Sequence, residues 1–350
     1  MKRVLLVGAG HAHARLLAAL ALKPLYGARI GLVSPEPRQI YSAMLPGVLA
    51  GHYRREAAEF DVAELAARAS VEYVPARIIA LDAAAKTATL DDGQQVHYDF
   101  ASLNAGSVIL QSVPGAAERT LAVKPFERLA GELRAVPHVA IAGGGSAGVE
   151  IAMALRHRGG EVTVYSERSA FPPPLARRIE RALRRRGVDF RPGMRVDAVE
   201  PGPVVISGTS RQQFDLVLWA SGPAPHPWLA MSGLALDDRG FVQVSGSLTS
   251  ISHPHIFAVG DCAGLGEAKS GVNAVRHGAV LEQNLRNLVS GTPLVAYEPD
   301  PNALMLLTCG SRYAIAWRGG WGGEGRWAWW WKYAIDRRWI KRLRGQKVAS

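Results

Sequence analysis

Three short stretches bring together residue types that could hold a dinucleotide. Gly8-Ala9-Gly10-His11-Ala12-His13 ends one apolar run and opens a helical-looking one. In such a turn Gly8 permits the tight bend and Gly10 lets the backbone approach a pyrophosphate. The helix N-terminus at His11 and Ala12 then supplies amide donors and partial positive charge. His13 stands where a third glycine is usual, a departure that would weaken helix–strand packing. The ribose acid belongs near the end of the next run, Val33-Ser34-Pro35-Glu36, so Ser34 or Glu36 must serve. Alone, this stretch reads equally well as an ordinary glycine turn. Gly143-Gly144-Gly145-Ser146-Ala147-Gly148 is a fuller match: Gly143, Gly145 and Gly148 are in register, with Glu150 two residues on. Its partner run ends Tyr165-Ser166-Glu167-Arg168. An acid there favours a ribose 2′-hydroxyl and an arginine a 2′-phosphate, so NADH and NADPH both stay open. In the third stretch, Ile256 to Asp261, Asp261 follows Gly260 at a strand end and can accept hydrogen bonds from a flavin's ribityl hydroxyls.

These residues need particular elements to position them. Residues 2–7 form a strand-like apolar run, HARLLAALAL a helix, and Ala28–Val33 a second strand. The same grammar returns from Val136 to Val164, about 135 residues after the first unit. Between the units lie alternating strands with a hairpin turn at Asp91-Asp92-Gly93. A helix is expected from about Gly271 to Leu288, and residues 299–350 form a separate tail.

The order of the three stretches resembles the FAD-dependent pyridine nucleotide-disulfide oxidoreductase superfamily over nearly the whole chain. That resemblance implies an α/β fold of two Rossmann-like domains, the second inserted in the first, with a short C-terminal helical tail. Residues 1–112 and 237–298 would together hold FAD, and 113–236 would hold NADH or NADPH. Asn104-Ala105-Gly106-Ser107 and Trp219-Ala220-Ser221-Gly222 resemble the two connections, which puts Ala105, Gly106 and Gly222 beside the cofactors. Disulfide reductases of the superfamily carry a Cys-x4-Cys pair, whereas residues 36–60 contain no cysteine, so a dithiol relay is not expected. Instead Ser34-Pro35 and Tyr41-Ser42-Ala43-Met44-Leu45-Pro46-Gly47 resemble the flavin-side segment of type II NADH dehydrogenases, which puts Met44, Leu45 and Pro46 along the ring. Gly10–His13, Tyr41–Gly47 and Gly51–Tyr53 are also similar to the flavoprotein domain fused ahead of selenide, water dikinase. Sulfide:quinone oxidoreductases are the rival, but Asn302-Ala303-Leu304-Met305 has methionine where their cysteine stands, with Cys309 four residues later. Ala268-Lys269-Ser270-Gly271 resembles both groups. There a helix N-terminus near Lys269, Gly271 and Val272 faces the flavin's pyrimidine edge and stabilises its reduced, anionic form. Glu150 would lie by the nicotinamide–flavin stack.

Composition bounds the rest. The 350 residues are 48% hydrophobic and 20% charged, which suits an α/β protein of two domains and a terminal element. No run approaches the roughly 18 apolar residues of a spanning helix. The first apolar run stops at Gly8 and is read as a strand, not a leader. Two cysteines fit a reducing, cytoplasmic setting. His11 and His13 have no carboxylate or thiol spaced with them, so no metal is expected. The formal charge is +11, yet residues 326–350 hold eight Lys or Arg against Asp336 alone, and seven of nine tryptophans lie beyond residue 316. Trp327, Trp331, Ile335, Trp339 and Leu343 recur every fourth position, a ridge that winds around a helix because four residues overshoot one turn. Tryptophan with Lys and Arg over Trp327–Arg344 suits a membrane interface on the inner face of the cytoplasmic membrane, or a covering for the flavin half or a second subunit of a homodimer. No nucleic-acid recognition motif accompanies the basic residues. The expected reaction passes electrons from NAD(P)H through flavin to a quinone or similar small acceptor. The alternatives are sulfide oxidation and a regulatory flavoprotein anchored by its tail.

Overall fold

The computed structural model describes residues 1–133 and 138–347. Val136 and Pro137, which open the second expected unit, and residues 348–350 of the tail lie outside the described residues. Two five-stranded parallel sheets carry the molecule. The first runs in the order Ile256–Ala258, Phe100–Leu103, Lys2–Val7, Ala28–Val33, Glu72–Val74. The second runs Leu121–Ala122, Leu216–Trp219, His138–Ala142, Glu161–Ser166, Asp189–Pro192. The strand Ile256–Ala258 joins the first sheet only after the second is complete, so one nucleotide-binding fold is inserted in the other as expected. The chain segments that pass between them pair antiparallel, Val108 with Ala224 and Ile109 with Pro223.

Val4, Leu5, Leu6 and Val7 are all buried, because a central parallel strand is covered on both faces and tolerates no alternation. Five helices matter for the site: α1 (His11–Leu20), α2 (Ser146–His157), α3 (Pro173–Arg185), α4 (Gly271–Ser290) and α5 (Arg326–Leu343). Helices α1 and α4 cross closely at Gly278, where a Cβ would stand 2.5 Å from the Ala12 carbonyl oxygen. The turn at Asp91-Asp92-Gly93 joins Thr87–Leu90 to Gln95–His97 in an antiparallel meander, with Gly93 at φ 85°.

The tail differs from a purely helical one. Met305–Thr308, Ala314–Arg318 and Trp321–Gly325 form an antiparallel sheet ahead of α5. Gly319 and Gly320, both at positive φ, make the hairpin turn that closes its last pair. Helix α5 buries Ala328, Trp329, Lys332, Asp336, Ile340 and Leu343. Its end is clamped where Arg344 Nε donates to the Glu59 carbonyl at 3.0 Å and the Arg68 guanidinium bonds the Leu343 carbonyl. The tryptophan ridge winds as its spacing requires: Trp327, Trp331 and Ile335 are exposed, Trp339 is half-buried and Leu343 is buried.

Candidate functional site

A cavity of about 1700 Å³ opens where the two sheets and the tail meet. Drug-sized pockets hold roughly 300–1,000 Å³, so this one has room for more than one ligand. Gly8, Gly10 and His11 line it from the first glycine turn, and Ser34, Glu36, Leu45 and Pro46 from the segments that follow. Ala105, Gly106 and Asp261 come from strand ends, and Lys269, Gly271 and Val272 from the approach to α4. Across from them stand Ser146 and Glu150 of α2 and the stretch Ala303–Leu307 of the tail.

Other predicted residues act from behind. Ala12 is fully buried under α4, and Gly260 lines a separate small cavity of about 10 Å³ beside Asp261. The Met44 side chain is buried in the core, and its carbonyl accepts from the Tyr53 hydroxyl at 3.0 Å. The one-turn helix from Ser42 to Met44 turns that side chain inward while Leu45 and Pro46 stay on the wall. Gly143, Gly145, Gly148, Ser166, Glu167, Arg168 and Gly222 lie outside the cavity wall. Of these, Gly143 and Gly148 let α2 press on its sheet: a Cβ on Gly148 would meet the Gly143 carbonyl oxygen at 1.9 Å. Ser166 is buried and donates to the Arg168 carbonyl at 3.2 Å, while Glu167 and Arg168 are exposed.

The first glycine turn is built around one amide that the sequence did not single out. Asn104 Oδ1 accepts from the His13 backbone at 3.1 Å, and its Nδ2 donates to the Val259 carbonyl at 3.1 Å. A Cβ on Gly10 would stand 2.6 Å from that Oδ1, and one on Gly260 2.4 Å from that Nδ2. One buried side chain thus gathers three loops. His13 does not weaken the packing. Its Nδ1 lies 2.6 Å from the Gly8 carbonyl and must donate, so Nε2 accepts from Ser102 Oγ at 2.8 Å. No side chain caps α1 or α2, whereas Ser270 caps α4. With the His13 amide taken by Asn104, the His11 and Ala12 amides of α1 and the first amides of α2 are left for a ligand at the cavity.

Three charged groups set the electrostatics. Burial pushes the Asp261 carboxyl up, but the Lys124 ammonium at 2.9 Å and the Ser107 hydroxyl at 2.6 Å hold it below its ordinary value. Lys124 is a site residue that sequence reasoning missed; nothing in its neighbourhood marks it, since Asp261 is 137 residues away. Glu150 is half-buried at the cavity wall and raised by burial, partly offset by Lys332 and by two bonds on Oε1 from Thr308, 2.7 Å from N and 2.8 Å from Oγ1. The Lys269 ammonium sits 4.0 Å from the Phe241 ring centre and bonds the Ala263 carbonyl, and burial lowers its pKa. Its charge thus faces a ring and a carbonyl as well as the cavity. Neither cysteine lines the cavity: burial pushes Cys262 up to about 11 and Cys309 up to about 12.

A family model described as pyridine nucleotide-disulphide oxidoreductase matches residues 2–278. The chain belongs to that family. Its members are flavoproteins that use FAD and a nicotinamide nucleotide. An NADH dehydrogenase-like protein of Mycobacterium tuberculosis is 30% identical over 284 residues, 71% of this chain and 70% of its own length. Two solved structures share the fold. The sulfide:quinone oxidoreductase of Aquifex aeolicus superposes with a TM-score of 0.81 at 18% identity, covering 100% of this chain and 93% of its own. NDH2 of Plasmodium falciparum in complex with NADH gives 0.80 at 13% identity, covering 97% and 98%. The resemblance read from the motifs is therefore borne out, and the chain is an oxidoreductase. The glycine cradles, the uncapped helices and the volume of the cavity fit an extended dinucleotide with a second ligand against it.

Proposed function

We propose that this oxidoreductase is an FAD-dependent NAD(P)H dehydrogenase that reduces a quinone or similar small acceptor without a redox disulfide. One observation carries the reading. A single cavity joins the first glycine turn and the start of α2, at Ser146 and Glu150, to an apolar tail segment, Ala303–Leu307, and neither cysteine lines it. The net reaction is NAD(P)H + H⁺ + quinone → NAD(P)⁺ + hydroquinone. Two electrons move, and the hydride and one solvent proton end as the two hydroxyl hydrogens. Bound FAD supplies the two-electron chemistry.

The chain's own residues bind, orient and handle the proton. Residues 1–112 and 237–298 form the FAD half in this reading. The α1 amides and Gly8–Gly10 take the pyrophosphate, Glu36 at the exposed rim takes the ribose, and Asp261 with Ser107 takes the ribityl hydroxyls. The N-terminus of α4 with Gly271 and Val272 faces the pyrimidine edge, where its dipole favours negative charge. Residues 113–236 take the nicotinamide nucleotide on α2, with Ser166, Glu167 and Arg168 at its adenosine end. Glu150 stands on the same helix at the cavity wall, its carboxyl raised above the ordinary value by burial, and is the group suited to pass a proton. Residues 299–350 complete the acceptor side. The exposed face of α5, with Trp327, Trp330, Trp331 and Ile335, lies in a membrane interface. Among the described residues no helix is long and apolar enough to cross a membrane.

Sulfide oxidation is the weaker reading, because Met305 lines the wall and the Cys309 thiol is fully buried. Stopped-flow bleaching of the FAD-loaded protein by NADH and by NADPH tests the main one. At least one nucleotide is expected to reduce the flavin within seconds. If neither does, the chain is a flavoprotein without this activity.

A further inference from the structure

Helix α5 carries a buried ion pair that substrate binding does not require. Lys332 Nζ lies 2.7 Å from Asp336 Oδ2, and both side chains are 7% exposed. The ammonium also donates to the Ala43 carbonyl at 2.6 Å, and Asp336 is hydrogen bonded by the Tyr41 hydroxyl. Tyr41 and Ala43 line the cavity, as does Glu150, on which the charges of Lys332 and Asp336 both act. Taking a lysine and an aspartate out of water is costly, and well-packed apolar residues in their place are often neutral or stabilising. Stability alone therefore does not account for this pair. Its location does: it places a fixed cation behind the cavity wall that Glu150 of α2 forms.

We infer that Asp336 is a positioning residue, whose charge offsets part of the pull that the Lys332 ammonium, also held by the Ala43 carbonyl, exerts on Glu150, and so governs when Glu150 holds the proton the acceptor takes up. The inference rests on the dehydrogenase reading for its purpose, though not for its test. Glu150 is faced by Thr308 and Cys309 from the tail sheet, by Lys332 and Asp336 from α5, and by Tyr53. Asp336 is faced by Lys332, Tyr41 and Tyr53. Both tyrosines are pushed far above their ordinary range by burial and by Asp336, so they stay neutral while Glu150 titrates. Removing the Asp336 charge removes a repulsion on ionised Glu150 and leaves the attraction of Lys332. The Glu150 titration must then move to lower pH.

The test uses full-length, FAD-loaded protein. The carbonyl stretch of protonated Glu150, recognised by its loss in Glu150→Gln, is titrated by infrared difference spectroscopy in wild type and in Asp336→Asn. A downward shift of about one unit is expected, the scale of one charge several ångströms away at an effective dielectric near 20. Asp336→Glu restores part of it. The double variant Lys332→Met/Asp336→Leu leaves no unpaired buried ion, and should move the titration up relative to Asp336→Asn. It also carries the test if the single variant does not fold, because an upward shift relative to wild type is then expected. Photoreduced enzyme mixed with ubiquinone-1 across about pH 5 to 9 should show the same displacement in its reoxidation rate. A Glu150 titration that stays put in the variants, with only thermal stability changed, overturns the inference. Failure of both nucleotides to reduce the flavin sinks the dehydrogenase reading instead and leaves the infrared result standing on its own.

Discussion

His13 stands where a third glycine would let α1 press on its strand, and the structure replaces that contact by two hydrogen bonds to a buried ring. Burial holds the ring neutral, with its pKa lowered from 6.5 to about 4. The sign of the linkage follows. Above pH 6.5 the imidazole is neutral folded and unfolded alike, so stability is level. As pH falls from 6.5 towards 4 the unfolded chain takes up the proton first, and stability is lost across that window. A fully buried group displaced this far contributes about 3 kcal/mol of slope. His13→Ala should therefore flatten the acid limb of the apoprotein's urea stability curve and cost roughly 2–4 kcal/mol near neutral pH. Unchanged stability at neutral pH would mean that the ring is a passive filler. The sequence marked His13 as a departure but not as a compensated one, because its partner Ser102 is 89 residues away.

Helix α5 separates two jobs by face. Its buried stripe, Ala328 through Leu343, packs on the tail sheet and on α1, while Trp327, Trp330, Trp331 and Ile335 face outward. Spacing alone forecast the winding of the ridge, since a four-residue repeat drifts around a helix of 3.6 residues per turn. It did not forecast that the ridge would begin in solvent and finish in the core, because that depends on where the short sheet before it lies. That sheet itself escaped notice: each strand has only four or five residues, too few for a period to register. The two faces predict opposite outcomes. Trp327→Ser with Trp330→Ser and Trp331→Ser should weaken co-sedimentation with phosphatidylglycerol vesicles by at least about tenfold, as one large apolar side chain contributes roughly 1.5–3 kcal/mol. Its thermal midpoint should barely move. Ile340→Ala should leave vesicle binding intact and cost roughly 2–5 kcal/mol of stability. Equal pelleting of the triple variant and wild type would remove the membrane role.

Across the whole molecule, the two glycine turns, their flanking strands and the return to Asp261 were legible in sequence, because each depends on residues close together in the chain. What joins them was not. Lys124 follows the edge strand of the second sheet, yet its ammonium reaches 2.9 Å to Asp261 of the first and 2.8 Å to Ser107 in the connection. This ion pair ties the inserted fold to the carboxylate proposed to receive the ribityl chain. Burial favours protonation of Asp261, and Lys124, Ser107 and Lys269 together outweigh it, so the carboxyl is held below its ordinary value. In Lys124→Met much of the compensation for burial is lost, and the Asp261 titration moves up. Below that displaced value the ribityl hydroxyls lose a charged acceptor, which weakens FAD binding. The ratio of FAD dissociation constants at about pH 5 and about pH 8, read from flavin fluorescence, should then be larger in Lys124→Met than in wild type. Asp261→Asn, which cannot ionise, should bind weakly and show little dependence on pH over the same range. An equal ratio in Lys124→Met and wild type would mean that Ser107 and the backbone hold the carboxylate without the lysine, and that the two halves meet there without controlling the cofactor.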